Sequence, residues 1–199
     1  MTPEEAGKKA ESLFKSGYAC SQAVLCTFAD ELGLDEATAL KISLPFGGGM
    51  GRMREVCGCV SGMLMVCGLK YANGVAGDKN CKDRCYAVSQ KLAGEFKKQN
   101  GSIICRELLG LSRSADILQT VSEERTAAYY QKRPCAKLAA LAAEICCRYI
   151  SSHPVQDPEQ YTAPVVLTGV PVWKRLPRKR LLLRRQFRLS FLLSDEILP

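Results

Sequence analysis

The stretch PFGGGMGRMREVCGCVSGMLMVCGLKY, residues 45–71, decides the fold. It joins a glycine-rich loop, 47–51, to an apolar segment that predicts a central helix over 55–71. Glycines leave the loop backbone free to take conformations that are closed to other residues, and they let it approach another group closely. Gly58 and Gly62 lie four apart on one face of the helix, where small residues admit a close neighbour. By itself, the pattern fits a tight helix crossing as well as it fits a binding site.

Cys57 lies where this central helix is predicted to begin. Glu55 suits the first turn of a helix, because a carboxylate offsets the exposed amides and the positive end of the helix dipole. A cysteine in that turn is shifted toward the thiolate, the form that binds metal or attacks a disulfide. The central helix therefore offers a candidate reactive thiol at its start.

Apolar periodicity and helix-stop signals predict further helices on both sides of the central one. Their ranges are 3–16, 20–32, 35–43, 79–98, 105–109, 115–133 and 135–150. Thr2 and Glu5 form a capping-box pattern at the start of the first of them. The sequence therefore predicts an all-α fold, a compact bundle of about six to eight short helices in which the glycine-rich loop leads into the central helix.

Four cysteines from separate segments share a position near a predicted helix start. They are Cys20, Cys57, Cys105 and Cys135. Helix starts offer unpaired amides and about half a positive charge, which lower thiol pKa values and stabilise negatively charged groups. Four thiolates in one place would repel one another unless a cation held them. Either iron or zinc could supply that cation.

The segment CGCVSG, residues 57–62, resembles the CGAxxG element of the C_GCAxxG_C_C family of small redox-active proteins, with Cys59 where that family usually has alanine. The similarity extends over about residues 10–150. Its other parts are GYACSQAVL around Cys20, FGGGMG before the element, GSIICRELLG around Cys105, and Pro134 with Cys135. Split-Soret cytochromes contain a domain of this kind, for which an iron–sulfur centre has been proposed. The resemblance therefore implies a redox protein that holds a metal cluster.

The leading hypothesis is an iron–sulfur cluster that transfers electrons. Its metal ligands are predicted to be Cys20, Cys57, Cys105 and Cys135, and the cofactor-binding residues also include Gly48, Gly49, Gly58 and Gly62. Amides of the glycine-rich loop could donate hydrogen bonds to sulfur. Arg52, Arg54 and Arg106 could offset the negative charge of the cluster. This hypothesis predicts an electron carrier or redox accessory protein rather than a stand-alone enzyme, and it names no catalytic residue.

Other chemistries remain open at this stage. A structural zinc site is the rival metal site, although such sites usually draw their ligands as close C-x-x-C pairs. A second alternative is thiol–disulfide exchange in which Cys57 attacks and Cys59, or another cysteine, resolves. A third is a helical module in which cysteines only fill the core. Covalent haem and histidine acid–base chemistry are not expected, because the sequence has no C-x-x-C-H and a single histidine, His153.

The remaining cysteines have plainer interpretations. Cys26 is predicted to be a small buried hydrophobe. Cys81 and Cys85 are four apart on a predicted helix and could both touch one metal, but charged residues surround them and they are interpreted as incidental. Cys146 and Cys147 are expected to pack in the core, with one of the two thiols half exposed.

Composition limits the cellular setting. Eleven cysteines among 199 residues is an unusual number, and the charged N-terminus has no apolar run of signal-peptide length. We therefore expect a cytoplasmic protein whose thiols stay reduced. No uninterrupted apolar run in the sequence is long enough to span a bilayer.

Residues 1–150 are predicted to form the cysteine-rich redox domain, and 151–199 to form a loosely ordered extension. Half of the net charge of +8 and six of the nine prolines lie in that last part. Its basic, leucine-rich segment, 174–188, could touch an anionic surface. No specific nucleic acid is expected as a partner. A redox partner protein is expected but not identified, and the sequence leaves a homodimer open.

Overall fold

The structure, a computed structural model, describes residues 1–112 and 120–155. These parts form the all-α bundle that the sequence predicts. Its helices are α1 (Pro3–Lys15), α2 (Cys20–Phe28), α3 (Glu36–Ser43), α4 (Gly47–Met50), α5 (Gly58–Tyr71), α6 (Lys79–Asn100), α7 (Cys105–Leu108), α8 (Ala127–Lys132) and α9 (Cys135–Ser152). Two 3-10 turns, Asp30–Leu32 and Leu44–Phe46, complete the elements. The predicted extension lies almost entirely outside the described residues.

Side-chain caps fix where several helices begin. Thr2 and Glu5 form the predicted capping box, in which the Glu5 amide donates to Thr2 Oγ1 at 3.2 Å and the Thr2 amide donates to Glu5 Oε2 at 2.7 Å. Asp35 accepts from an amide in the first turn of α3, and Asp78 does the same for α6. These local signals explain why the first, third and sixth helices begin close to their predicted starts.

The central helix begins later than the sequence predicts. α5 starts at Gly58 and not at Glu55, because Val56 forms an isolated antiparallel bridge with Ile104. The Cys57 amide donates to the carbonyl of Ile103 at 2.8 Å, and the Cys105 amide donates to that of Glu55 at 2.6 Å. Backbone groups that are paired across the chain cannot also enter a helix, so this long-range pairing overrides local helix propensity.

Two other predicted helices are shorter in the structure. The helix predicted over 20–32 ends at Phe28, and a 3-10 turn replaces its last part. Of the helix predicted over 115–133, residues 115–119 lie outside the described residues and 120–126 are not helical. The helical part, α8, begins after Thr126, whose hydroxyl accepts the Tyr129 amide at 3.2 Å.

The core lies where α1 packs on α9 and α2 packs on α5. Its largest fully buried side chains are Phe14, Phe28 and Phe96. The α2–α5 contact is close because Gly62 has no side chain. A Cβ added there would lie 2.6 Å from the carbonyl oxygen of Ser21 and 3.0 Å from Cβ of Val24. The small-residue face of the central helix thus serves a tight helix crossing, as its spacing predicted.

Among the residues described, no helix combines the length and the apolar character that crossing a membrane requires.

We expect Gly62→Ala to lower the free energy of unfolding by about 1–3 kcal/mol, since a methyl group at the crossing forces α2 and α5 apart. Gly68→Ala is the matched control on the same helix, because an added Cβ there meets nothing within 4 Å. It should stabilise the protein by up to about 1 kcal/mol through helix propensity. Urea unfolding followed by circular dichroism measures both changes. Equal effects of the two substitutions would show that the crossing is not tightly packed.

Candidate functional site

Each of the four cysteines that the sequence places near a helix start lies at the start of a different helix in the structure. Cys20 is the first residue of α2, Cys105 of α7 and Cys135 of α9. Cys57 is the N-cap residue of α5. Amides and the positive dipole end at such positions stabilise a negatively charged sulfur, most strongly on the longer helices.

These thiols lie against one another, and a fifth cysteine joins them. The Cys20 sulfur is in hydrogen-bonding contact with the thiols of Cys135 and Cys59. The Cys59 thiol also contacts that of Cys57. Cys105 lies close enough to Cys57 and Cys20 to be affected by their charge. The structure therefore gathers the four predicted ligands together with Cys59, and we call these five residues the thiol cluster.

Within the thiol cluster, Cys20 carries the negative charge most readily. Hydrogen bonds from the thiols of Cys135 and Cys59 hold the pKa of Cys20 well below its ordinary value, and the charge of Arg125 and the Gly48 amide act in the same direction. The pKa values of Cys135 and Cys59 are raised, in each case mainly by the hydrogen bond to Cys20. The sequence-based exchange hypothesis named Cys57 as the attacking thiol, whereas the structure gives the lowered pKa to Cys20.

Cys105 differs from Cys20 in being held as a thiol. It is 6% exposed, and burial raises its pKa to about 11. The side chain of Arg54 contacts its sulfur and opposes this shift. A negative charge on Cys105 would therefore need a further positive group beside it.

The glycine-rich loop forms one wall of the thiol cluster. The Gly48 amide donates a hydrogen bond to the sulfur of Cys20. Gly49 has a φ of 76°, and a Cβ added to it would lie only 2.5 Å from Cβ of Cys105. The loop continues into Arg52 and Arg54, which also have positive φ, at 65° and 62°. A positive φ costs energy for any residue other than glycine, and such strained residues are concentrated at functional sites in proteins.

A cavity of about 310 Å³ opens beside the thiol cluster. Cys20, Cys105 and Cys135 line it, together with four arginines: Arg52, Arg54, Arg125 and Arg133. Glu123 also lines it and pairs with Arg133 and, at 3.8 Å, with Arg52. Four guanidinium groups around one carboxylate leave the cavity positively charged, so it suits a group with negative charge.

Arg54 is the most buried of these arginines. It is 5% exposed, and its Nε is buried without a hydrogen-bond partner. A buried donor of this kind is costly unless it meets an acceptor. Arg125 is used differently, because its guanidinium donates to the carbonyls of Phe14 and Tyr18, each at 3.2 Å.

The arginines of the site were only partly found from sequence. Arg52 and Arg54 follow the glycine-rich loop and were predicted to lie here. Arg106, also predicted, pairs with Glu55 at 3.5 Å and is not among the residues that line the cavity. Arg125 and Arg133 were missed, because no local pattern marks them and only the packing of the chain beyond residue 120 brings them to the thiols.

Gly58 and Gly62, predicted as cofactor-binding residues, lie at the crossing of α5 with α2. A Cβ on Gly58 would lie 3.0 Å from Cβ of Cys20 and 2.9 Å from the carbonyl oxygen of Phe46. Gly62 lies one turn further along α5, against Ser21. Neither is among the residues that line the cavity. Their close packing sets the position of Cys20 relative to α5.

Several cysteines lie away from the thiol cluster. Cys26 is buried as predicted, and burial raises its pKa to about 11. Burial likewise raises the pKa of Cys67 to about 11. Cys146 and Cys147 are both buried, so the half-exposed thiol expected at that end of α9 is not present. All eleven cysteines are free thiols.

No three or more histidine, cysteine, aspartate or glutamate side chains in residues 1–112 and 120–155 are arranged so that they could hold a metal ion. The thiols of the cluster contact one another in pairs.

The helical fold and the thiol cluster define a small protein organised around cysteine chemistry. The chain matches the model of the family described as "Putative redox-active protein (C_GCAxxG_C_C)" over residues 18–149. It therefore belongs to the C_GCAxxG_C_C family of redox-active proteins, which confirms the resemblance found in the sequence. No curated protein and no solved structure shows significant similarity to the chain.

We expect Cys135→Ala to raise the pKa of Cys20, because it removes one of the two thiols that stabilise the Cys20 thiolate. The pH at which labelling of Cys20 by iodoacetamide reaches half its maximum should rise with the pKa, and below that pH labelling falls about tenfold for each unit of pKa increase. Peptide mass spectrometry of metal-free protein measures the pH dependence of this labelling. Cys26→Ala, on the same helix, should leave it unchanged. An unaltered midpoint in Cys135→Ala would mean that the neighbouring thiol does not set the pKa.

Gly49→Ala and Gly51→Ala separate backbone strain from contact with the site. Both glycines have positive φ, 76° and 62°, so alanine is strained at both. Only at Gly49 would the new Cβ reach Cys105, since at Gly51 the nearest atom is 3.7 Å away. We expect Gly49→Ala to cost about 1–3 kcal/mol more in unfolding free energy and to increase labelling of Cys105. Similar losses in the two variants would contradict the close approach of the loop to Cys105.

Proposed function

We propose that the thiol cluster and its cavity hold an iron–sulfur cluster, bound by Cys20, Cys57, Cys105 and Cys135, and that the protein transfers electrons through it. The observation that carries this proposal is the convergence of four cysteines, each from a different helix start, three of which line one cavity. Iron–sulfur clusters are commonly held by four cysteine thiolates. The redox-active family to which the chain belongs supports the same chemistry.

The residues of the site fit such a group. Four thiols form the donor set, and the Gly48 amide already donates to one of the sulfurs. The unpartnered Nε of Arg54 would find an acceptor in a negatively charged group beside Cys105. Burial of Cys57 and Cys105, which are 4% and 6% exposed, keeps water from these ligands.

The sequence context favours an iron–sulfur cluster over zinc. A structural zinc ion needs about four ligands around a single point, and such sites usually draw them as close C-x-x-C pairs, which this sequence lacks. A cluster distributes its four thiolates over more than one iron, so its ligands need not meet at one point. Zinc remains the alternative that metal analysis would detect.

When bound, the cluster would supply a one-electron redox couple. The protein's own residues would set how readily that couple accepts an electron. Arg54 and Arg125 bring positive charge close to the thiols and favour the more negative, reduced state. The Gly48 amide lowers the negative charge density on the sulfur of Cys20. The partly exposed position of Cys20 gives a redox partner its nearest approach to the site.

Purification without air tests the proposal. We expect brown protein with charge-transfer absorption and bound iron and inorganic sulfide. Serine substitution of Cys20, Cys57, Cys105 or Cys135 should each reduce the iron content severalfold. Cys59→Ala is the matched control two residues from Cys57, and it should keep the iron because it places alanine where the family usually has it. Colourless, iron-free wild-type protein from this preparation would contradict the cluster, and zinc without colour would favour a structural site.

A second candidate function is thiol–disulfide exchange. The contact between Cys20 and Cys135 and the lowered pKa of Cys20 favour it. The Cys20 thiolate would attack a substrate disulfide, forming a mixed disulfide and releasing one substrate thiolate. Cys135, after losing its proton, would then displace the second thiolate and leave a Cys20–Cys135 disulfide. Metal-free protein that reduces a disulfide substrate and loses two hydrogens from these residues would favour exchange over the cluster.

We place this chemistry in the cytoplasm, where thiols stay reduced. A separate redox protein would then exchange electrons with the site.

A further inference from the structure

A second pair of thiols lies outside the thiol cluster, on the first two turns of α6. Cys81 and Cys85 are four residues apart, and neither lines the cavity described above. Their thiols are in hydrogen-bonding contact. Cys81 is buried, at 5% exposure, whereas Cys85 is partly exposed. Solvent therefore reaches one sulfur of a pair whose other sulfur is fixed in the protein.

Loop residues hold the sulfur of Cys81 in place. The Asn73 amide donates to it at 3.3 Å. The Asn73 side chain donates to Asp78 at 2.7 Å, and Asp78 in turn accepts the Cys81 amide at 2.9 Å. The turn before α6 thus fixes the sulfur of Cys81 where it meets the sulfur of Cys85.

The spacing of the pair decides which chemistry fits it. Side chains four apart on a helix have Cβ atoms about 5–6 Å apart. A disulfide needs a Cβ separation of about 3.5–4.5 Å, so forming one would unwind the turn that Asp78 caps. An ion or atom that inserts between the two sulfurs, and bonds to both, needs no such movement. Soft thiolate ligands select soft centres such as copper(I).

We propose that Cys81 and Cys85 form a binding site for a thiophilic centre that takes two thiolate ligands, the class to which copper(I) and trivalent arsenic belong. No third side chain completes a metal-binding group in the described parts of the chain, so the site offers two sulfurs only. Copper(I) displaces both thiol protons to solvent. An organic arsenic(III) oxide forms two As–S bonds, and its oxide leaves as water with the two thiol protons, without electron transfer.

Arg84 supplies positive charge beside the pair. Two thiolates with one singly charged cation leave one negative charge. Burial and the neighbouring Cys81 thiol raise the pKa of Cys85, and the charge of Arg84 opposes this shift. Lys79, whose side chain is 83% exposed, pairs with Asp83 one turn along α6. One sulfur of the site is buried, and the other lies at a partly exposed, charged surface.

Titration of the full-length protein with phenylarsine oxide tests the site. The thiol cluster could bind the same probe, so the experiment uses protein in which Cys20, Cys57 and Cys135 are serine, and peptide mass spectrometry locates the adduct. We expect one arsenic that links Cys81 to Cys85. Cys81→Ser and Cys85→Ser should each weaken binding at least tenfold. Cys26→Ser should not change it.

A second variant keeps the number of thiols and changes only their geometry. Cys85→Ser combined with Tyr86→Cys moves the second thiol off the face of Cys81, and it should lose the linked adduct. A copper(I) titration against a competing chelator, on the same variants, distinguishes a metal site from an arsenic-selective one. Binding that survives the moved thiol, or a Cys81–Cys85 disulfide formed by diamide without loss of helicity, would overturn the proposal. Because it leaves the thiol cluster aside, this result does not depend on the proposed function.

Discussion

The structure depends on the backbone pairing between the segment before α5 and the segment before α7. Hydrogen bonds join Cys57 to Ile103 and Cys105 to Glu55, with Val56 and Ile104 opposite each other. This short bridge brings together two cysteines that are almost fifty residues apart in the chain, Cys57 and Cys105, and it fixes where the helices that follow them begin. Neither α7, a single turn, nor the glycine-rich loop beside it could hold its position through local hydrogen bonds alone.

Helix starts and arginines both provide positive charge near the sulfur atoms of the site. Cys20 and Cys135 lie at the starts of α2 and α9, where unpaired amides favour a negative sulfur. Arg125 adds a full positive charge close to Cys20, and Arg54 adds one close to Cys105. The thiols differ in pKa although they share this electrostatic environment, because each hydrogen bond between Cys20 and a neighbouring thiol shifts the two pKa values in opposite directions. Hydrogen bonds from Cys135 and Cys59 lower the pKa of Cys20, and the same contacts raise the pKa values of Cys135 and Cys59, as expected for neighbouring acids.

Sequence reasoning located the thiols but not the whole of their surroundings. Capping and glycine signals are local, so the helix starts at Cys20 and Cys135 could be predicted to within a residue. The start of α5 could not, because it depends on Ile103 and Ile104, far along the chain. Arg125 and Arg133 were missed for the same reason: nothing near them in sequence marks a binding residue. Local sequence patterns do not show which distant residue a backbone or side-chain group will contact. In this protein, those distant residues complete the site.

Two thiol pairs on one protein show how position decides reactivity. Cys20 receives hydrogen bonds from two thiols and an amide, with arginine charge nearby, so its pKa falls. Cys85 lies near the start of a longer helix, yet burial and the neighbouring charge of Cys81 raise its pKa. The difference follows from the donors that surround each sulfur rather than from the helix dipole. A helix start therefore makes a thiolate available only when other donors converge on the same atom, and this convergence is what separates the thiol cluster from the remaining cysteines.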